Sequence, residues 1–267
     1  MFDCRGGGRI AIRCEGISKC FLRNDADPYQ ALRARLGGLR LLNFGKSPVA
    51  DGTLTWALRD VSFEVPAGSV FGVLGGNGSG KSVLLKILAR VTRPTAGRTE
   101  VHGTLGSILH LGAMLVPELT GRENIYQIGT LLRLRRATVD RRFDEIVAFS
   151  GVGAQLDSLV RGYSAGMQLR LAFAVMVFLD SDVLLLDEAL SVADQEFRRR
   201  SVERIRAMAA LGRTIVLVSH ELDVMADLCD HVLILDQGRV EVSGAARPVI
   251  AAYCNRVQAD LAAMPQK

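Results

Sequence analysis

The fold is decided by the stretch VFGVLGGNGSGKS, residues Val70–Ser82. Its first part, Val70–Leu74, is a continuous apolar run, which predicts a strand buried on both faces. Its second part, Gly75–Ser82, fits the pattern GxxxxGK(S/T) of a phosphate-binding loop. Apolar residues at helical spacing follow and predict a helix: Val83, Leu84, Ile87, Leu88 and Val91. Strand, glycine-rich loop and helix in this order indicate a site for a nucleoside triphosphate.

The glycines of this loop let the backbone curl so that successive N–H groups form an anion-binding nest. The N-terminus of the following helix adds partial positive charge. We expect Lys81 to reach the β- and γ-phosphates and Ser82 to ligate Mg²⁺. The predicted nucleotide-binding residues of the loop are Gly75, Gly76, Asn77, Gly78, Ser79, Gly80, Lys81 and Ser82.

A second part of the site is predicted where the apolar run Val183–Leu186 ends in two carboxylates. Because side chains alternate along a strand, Asp187 and Glu188 cannot have the same task. We expect Asp187 to hold Mg²⁺ through water, and Glu188 to orient and deprotonate the attacking water. His220 follows another apolar run, and strand ends of an open α/β sheet converge on the ligand, so we expect His220 to contact the γ-phosphate. The predicted catalytic residues are Glu188, His220 and Lys81.

Short β-like runs alternate with helix-like stretches along the chain, which favours a mostly parallel sheet covered by helices. A long segment rich in Leu, Arg and Ala predicts a smaller helical subdomain between two strands of this sheet. We expect one nucleotide-binding domain at 10–244, with the helical subdomain at about 118–180. A short C-terminal helix and tail are expected at 245–267.

Composition excludes several classes of protein. The chain has 267 residues, of which 49% are hydrophobic and 23% charged, with a formal net charge of +5. These values are typical of a globular protein and unlike a disordered or collagen-like chain. The five cysteines form no CxxC pair, so we expect reduced thiols. Neither a signal peptide nor an apolar run of roughly 18 residues is visible, so we expect a protein that is not integral to a membrane.

The motif Tyr163–Gln168 indicates which family of nucleotide-binding proteins the chain resembles. It reads Tyr-Ser-Ala-Gly-Met-Gln and opens a helix-like run, so Ser164 is a candidate N-cap that faces a phosphate. At this point the sequence resembles the ABC-type ATPases, whose signature usually reads Leu-Ser-Gly-Gly-Gln. The resemblance implies a P-loop NTPase (RecA-like) core with a mostly parallel sheet, an antiparallel β subdomain and an inserted helical subdomain. It implies ATP and Mg²⁺ as cofactors.

The same resemblance implies a head-to-tail homodimer with two ATP molecules at its interface. Ser164 and Gly166 of one copy would close over the ATP held by the other. The segment Ser191–Asp194 resembles the one that bridges the two subunits in such proteins.

Departures from the usual signature point to one branch of the family. Ala165 replaces a glycine and Met167 replaces the glutamine. The glutamine usual before the helical subdomain is absent, and His110 is the nearest polar candidate. Leu111–Tyr126 and Asp187–Phe197 are similar to the corresponding stretches of polysaccharide-exporting ABC proteins.

This branch exports lipid-linked O-antigen, capsule or teichoic acid chains. The resemblance implies an ATP-hydrolysing subunit that is peripheral at the cytoplasmic face of the inner membrane. Its partners would be an integral membrane permease and a lipid-linked polysaccharide handled by the complex. Two other interpretations stay open: a cassette for another exported substrate, and a soluble ABC-type ATPase acting on nucleic acid or ribosomes. Soluble ABC-type ATPases that act on nucleic acid or ribosomes usually carry two cassettes in one chain or a long coiled-coil insertion. Neither feature is visible in this sequence, so we expect no nucleic-acid partner.

Aromatic and basic residues give three further predictions. Adenine needs a flat apolar surface, for which Phe21 is the first candidate by position and Trp56 the alternative. The basic segment Pro28–Lys46 is either an amphipathic helix on an anionic membrane or a solvated loop. A basic cluster in the helical subdomain faces lipid, the membrane partner or solvent: Arg133, Arg135, Arg136, Arg141 and Arg142.

Overall fold

The computed structural model describes residues 9–22, 54–108, 114–179, 181–187 and 194–263. Nine strands lie within these ranges: β1 (Ile10–Leu22), β2 (Leu54–Pro66), β3 (Val70–Leu74), β4 (Ala96–Val101), β5 (Leu105–Ile108), β6 (Val183–Asp187), β7 (Thr214–Val218), β8 (His231–Asp236) and β9 (Arg239–Ala245). The α-helices of the same ranges are α1 (Lys81–Leu88), α2 (Gly121–Leu131), α3 (Arg136–Ser150), α4 (Ala165–Phe178), α5 (Gln195–Ala210), α6 (Leu222–Leu228) and α7 (Ala246–Ala263).

The strands form two sheets. The larger sheet has the order β5-β6-β7-β3-β8-β9, and its pairs are parallel except for the antiparallel pair β8–β9. The smaller sheet has the order β2-β1-β4 and is antiparallel throughout. The predicted fold class is therefore confirmed. The molecule has an α/β P-loop core with a mostly parallel sheet, an antiparallel β subdomain, and helices inserted between two strands of the larger sheet.

The central strands are buried on both faces, because alternate residues enter two different cores. From β6, Leu184 and Leu186 pack into the core that contains α4. Their neighbours Val183 and Leu185 pack into the core shared by α1 and the antiparallel sheet. Two-sided burial explains why these strands read as continuous apolar runs, and it holds their carboxyl ends rigidly at one edge.

Helices α2, α3 and α4 lie between β5 and β6 in the chain. An aromatic cluster joins α3, α4 and α5: the ring centroid of Phe149 is 6.3 Å from that of Phe173 and 5.2 Å from that of Phe197. This cluster positions α4 relative to α5. None of the helices in the described ranges is long and apolar enough to cross a membrane. The domain limits 10–244, 118–180 and 245–267 remain predictions.

Exposed elements differ most from their predicted limits. Helix α1 ends at Leu88, because Arg90 adopts a positive φ of 59°, and Val91 beyond it is 67% exposed. In strands β4 and β9 every residue is half-buried or exposed, and β4 has no apolar alternation that could have predicted it.

Candidate nucleotide-binding site

Three adjacent strands bring the predicted site residues to one edge of the larger sheet. Val218, the last residue of β7, pairs with Asp187 of β6 on one side and with Val73 of β3 on the other. The phosphate-binding loop starts two residues after Val73, and His220 lies two residues after Val218. The edge at the carboxyl ends of parallel strands is where open α/β sheets bind ligands.

The loop residues form a cradle that already holds its lysine. The Lys81 ammonium donates to the carbonyl oxygens of Gly75 at 2.8 Å and Gly76 at 2.9 Å. The Ser79 N–H donates to the Gly76 carbonyl at 3.2 Å, which closes a turn within the loop. The positive charge of Lys81 is therefore fixed at the loop before any phosphate is added.

Two glycines are required by the close packing of this loop. Gly75 has a φ of 146°, and a Cβ there would lie 2.2 Å from the Leu235 carbonyl oxygen. Gly80 has a φ of 105°, and a Cβ there would lie 2.5 Å from the Ala57 carbonyl oxygen. By contrast, a Cβ on Gly76 would meet no atom within 4 Å. The base of the loop is thus tightly packed and its crest is open.

A turn between β8 and β9 braces the loop from a distant part of the chain. The Gly238 N–H donates to the Ser79 carbonyl at 3.1 Å, and the Gly238 carbonyl accepts from the Arg59 N–H at 2.7 Å. Gln237 and Gly238 both have positive φ, as a tight two-residue hairpin turn requires. Sequence reasoning missed this brace, although Gln237-Gly238 ahead of an alternating segment is a recognisable turn signal.

The cradle fits a polyanion. The Ser79 hydroxyl is buried and has no hydrogen-bond partner within the described part of the chain. No acidic residue lies in the first turn of α1, which begins at Lys81. The backbone N–H groups at this helix end attract phosphate, and no carboxylate of this first turn opposes them. Asn77 and Gly78 are exposed at the crest, as a loop that wraps a phosphate chain requires.

Oxygen ligands suited to Mg²⁺ lie at the same edge. Ser82 is exposed in the first turn of α1, and Asp187 is half-buried at the end of β6. Hydroxyl and carboxylate oxygens are the ligands that Mg²⁺ prefers, together with water and substrate phosphates. Across the described ranges, no group of three or more His, Cys, Asp and Glu residues forms a metal site by itself.

His220 stands at the apex of a short turn. The hydroxyl of Ser219, which is buried, accepts from the Glu221 N–H at 3.1 Å. This local bond is a typical serine turn, and it leaves the intervening His220 exposed. The Glu221 carboxylate forms an ion pair with Arg198 of α5. The turn is therefore fixed on both sides of the histidine.

Helix α4 begins at the predicted signature. Ser164 is its N-cap, and the Ser164 hydroxyl accepts from the Met167 N–H at 3.2 Å. The helix starts at Ala165, directly after this predicted N-cap. Tyr163 is buried and donates from its hydroxyl to the Gln155 carbonyl at 2.6 Å. Ser164 is thus exposed on an anchored helix end; its contact with a phosphate stays a prediction.

The two candidate aromatic residues lie on neighbouring strands. Phe21 is 46% exposed and Trp56 is 39% exposed. Trp56 pairs with Cys20, so Phe21 and Trp56 emerge from opposite faces of the β1–β2 ladder. The Lys19 ammonium lies 5.1 Å from the Phe21 ring centroid. Both rings are accessible to a ligand, and the choice between them stays open.

Several predicted residues lie outside the described part of the chain. These are Glu188, His110, Ser191–Ala193 and the basic segment Pro28–Lys46. Of the basic cluster in the helical region, Arg142 pairs with Glu145 and Arg136 stacks on Tyr126.

Comparison with known proteins places the chain in a family. Residues 58–191 match the family model described as ABC transporter. The chain therefore belongs to the ABC transporter ATP-binding family, and the resemblance drawn from Tyr163–Gln168 is confirmed. A solved "ATP binding subunit of ABC transporter" has the same fold, with a TM-score of 0.73 at 20% identity over 91% of this chain and 93% of that one.

Its curated relatives include proteins named as ATP-binding proteins of O-antigen export systems and of teichoic acid export. The chain is 42% identical over 244 residues to the O-antigen export system ATP-binding protein RfbB of Myxococcus xanthus. The matched region covers 91% of this chain and 55% of that protein. The chain is 40% identical to RfbB of Klebsiella pneumoniae over 74% of this chain and 80% of that protein. It is 37% identical to the teichoic acids export ATP-binding protein TagH of Enterococcus faecalis over 74% of this chain and 44% of that protein. The chain thus spans about half the length of the first and third of these relatives.

Proposed function

We propose that this chain is the ATP-binding and ATP-hydrolysing subunit of an ABC transporter that exports a lipid-linked polysaccharide across the cytoplasmic membrane. The observation that carries the ATPase part is the convergence of the Lys81 cradle, Asp187 and His220 at one sheet edge. The polysaccharide part is supported by relatives named for O-antigen and teichoic acid export.

In this proposal each residue has a defined task. The loop N–H groups and the Lys81 ammonium bind the β- and γ-phosphates, and because the lysine is already held at the loop, little reorganisation is needed. Ser82 and Asp187 would hold Mg²⁺, which when bound neutralises charge on the phosphate oxygens. Glu188 accepts the proton of the attacking water, and His220 contacts the γ-phosphate.

The proposal includes three partners of the subunit. A second copy presents Ser164 and Gly166 to the γ-phosphate, using the partial positive charge at the start of α4. An integral membrane permease holds the subunit at the cytoplasmic face of the membrane and moves the lipid-linked polysaccharide. No nucleic acid takes part.

The test compares Glu188→Gln and Lys81→Ala with wild-type protein assembled with its permease. Glu188→Gln should retain ATP and lower turnover by about 10²–10⁴-fold, the usual effect of losing a general base. Lys81→Ala should weaken ATP binding itself. A matched control is Glu203→Gln, because Glu203 is an exposed glutamate of α5 that pairs with Arg199. Unchanged turnover in Glu188→Gln would remove that residue from the proposed role.

Two further measurements test the partners. Light scattering on Glu188→Gln should give the mass of a dimer with ATP and of a monomer with ADP. In vesicles that contain the permease and a lipid-linked polysaccharide, wild-type protein with ATP should translocate the glycan and Glu188→Gln should not. Translocation of another substrate class, without the glycan, would contradict the polysaccharide part and leave the ATPase part intact.

A further inference from the structure

The first turn of α5 makes two ion pairs with different parts of the molecule. Asp194, the N-cap of α5, accepts from the Phe197 N–H at 2.8 Å and pairs with Arg170 of α4 at 3.2 Å. Within the same first turn, Arg198 pairs with Glu221, the residue after His220. The same helical turn therefore contacts both the helix that begins at Ser164 and the turn that presents His220.

One member of each pair is partly removed from solvent. The side chain of Arg170 is 29% exposed and that of Glu221 is 20% exposed. The pKa of the Asp194 carboxyl is lowered, first by the Phe197 N–H and then by Arg170. Loss of Asp194 or Arg198 would leave the partly buried charge of Arg170 or Glu221 without its partner, so these contacts constrain geometry more than pairs exposed on both sides do.

Glu221 has two fixed points, one in its backbone and one in its side chain. Its N–H donates to the hydroxyl of Ser219, and its carboxylate is held by Arg198. His220 lies between Ser219 and Glu221, so the direction of its side chain depends on both. A displacement of about 1 Å in a residue that orients a reacting group is enough to lower a rate by about 10²-fold.

We propose that Arg198 is a positioning residue that acts through Glu221 on His220, and that the Asp194–Arg170 pair ties this positioning to helix α4. The inference rests on the proposed function, because it assigns a task to residues around the γ-phosphate. It makes the N-terminal turn of α5 the mechanical link between the signature helix and the histidine turn of the same chain.

The test is a double-mutant cycle on ATP hydrolysis by the chain assembled with its permease. Arg198→Ala should lower kcat about tenfold and leave the KM for ATP within about twofold, because the phosphate cradle is untouched. Glu221→Ala should lower kcat similarly. The double variant should be no worse than either single variant, because Arg198 acts through Glu221. Arg199→Ala is the matched control, since Arg199 forms an i,i+4 pair with Glu203 on the same helix with side chains 69% and 55% exposed; its kcat should stay within twofold of wild type.

Each result has one meaning. If Arg198→Ala retains wild-type kcat, or if the two single losses multiply in the double variant, the positioning role is wrong. If Arg198→Ala unfolds, the milder substitutions Arg198→Lys and Glu221→Gln are measured instead. A wild-type kcat in Glu221→Gln then overturns the inference. A fall in ATP affinity that equals the fall in kcat also overturns it, because a merely structural defect would do that. If wild-type protein hydrolyses no ATP, the proposed function fails, and the inference fails with it.

Discussion

Replacing Gly80 by alanine tests whether the phosphate cradle is held as the structure describes. Gly80 has a φ of 105°, where an L-residue is strained by about 1–2 kcal/mol. Its new Cβ would lie 2.5 Å from the Ala57 carbonyl oxygen and 2.8 Å from Leu58 Cδ2. Because the first contact is with backbone, it cannot be relieved by a rotamer change, and overpacking of this kind costs about 1–3 kcal/mol.

The two effects together predict a loss of about 2–5 kcal/mol in the free energy of unfolding. For a domain of this size, each kcal/mol lowers Tm by roughly 2–4 °C. Gly76→Ala is the matched control in the same loop, since a Cβ there meets no atom within 4 Å. Such a substitution should change stability by no more than about 0.5 kcal/mol.

The measurement is urea unfolding without nucleotide, followed by circular dichroism, together with the ATP affinity of each variant. Omitting nucleotide keeps contacts between the loop and phosphate out of the stability comparison. Gly80→Ala should also bind ATP more weakly. Relief of the contact with Ala57 requires the loop to move away from β2, and this movement would displace Lys81, the next residue in the chain. The reasoning is refuted if Gly80→Ala and Gly76→Ala unfold at the same urea concentration while Gly80→Ala retains wild-type ATP affinity.

Two further predictions concern the aromatic residues and the thiols. One of the two substitutions Phe21→Ala and Trp56→Ala should weaken ATP binding by about 1–3 kcal/mol, the usual contribution of a base stacked on an aromatic ring. Wild-type ATP affinity in both variants would exclude stacking on either ring. The four described cysteines divide by burial: Cys14 and Cys229 are buried, and Cys20 and Cys254 are half-buried. Burial raises the pKa of the two buried thiols to about 12, so at pH 8 they should resist alkylation until the protein unfolds, whereas Cys20 and Cys254 react. Peptide mapping by mass spectrometry checks this, and early labelling of Cys14 would contradict it.

The predictable part of the fold is the part buried on both faces. β3, β6 and β7 appear in the sequence as unbroken apolar runs, because each side of the central sheet is covered. The phosphate loop was predictable because its glycines, lysine and following helix form a local pattern. The N-cap at Ser164 was predictable for the same reason.

Long-range polar contacts could not be predicted from the chain alone. The brace from Gly238 to Ser79 depends on how β8 and β9 turn back over the loop, which no local pattern encodes. Arg198 and Arg199 are adjacent arginines of one helix and look equivalent in the sequence. Only the packing of α5 shows that the first reaches the histidine turn and that the second pairs within its own helix.

The difference between the predictable and the unpredictable contacts has a physical cause. Apolar burial places the strand ends at one edge, and it is non-directional, so it sets which elements meet but not how a side chain is aimed. Aim requires directional contacts, which here are the Lys81–carbonyl bonds, the Ser219 turn and the Arg198–Glu221 pair. The first two of these contacts are local in the chain and belong to the motifs themselves, whereas the Arg198–Glu221 pair joins residues far apart in the chain. The chemistry of the site can therefore be predicted from its motifs, but a positioning residue such as Arg198 has to be found in the folded molecule.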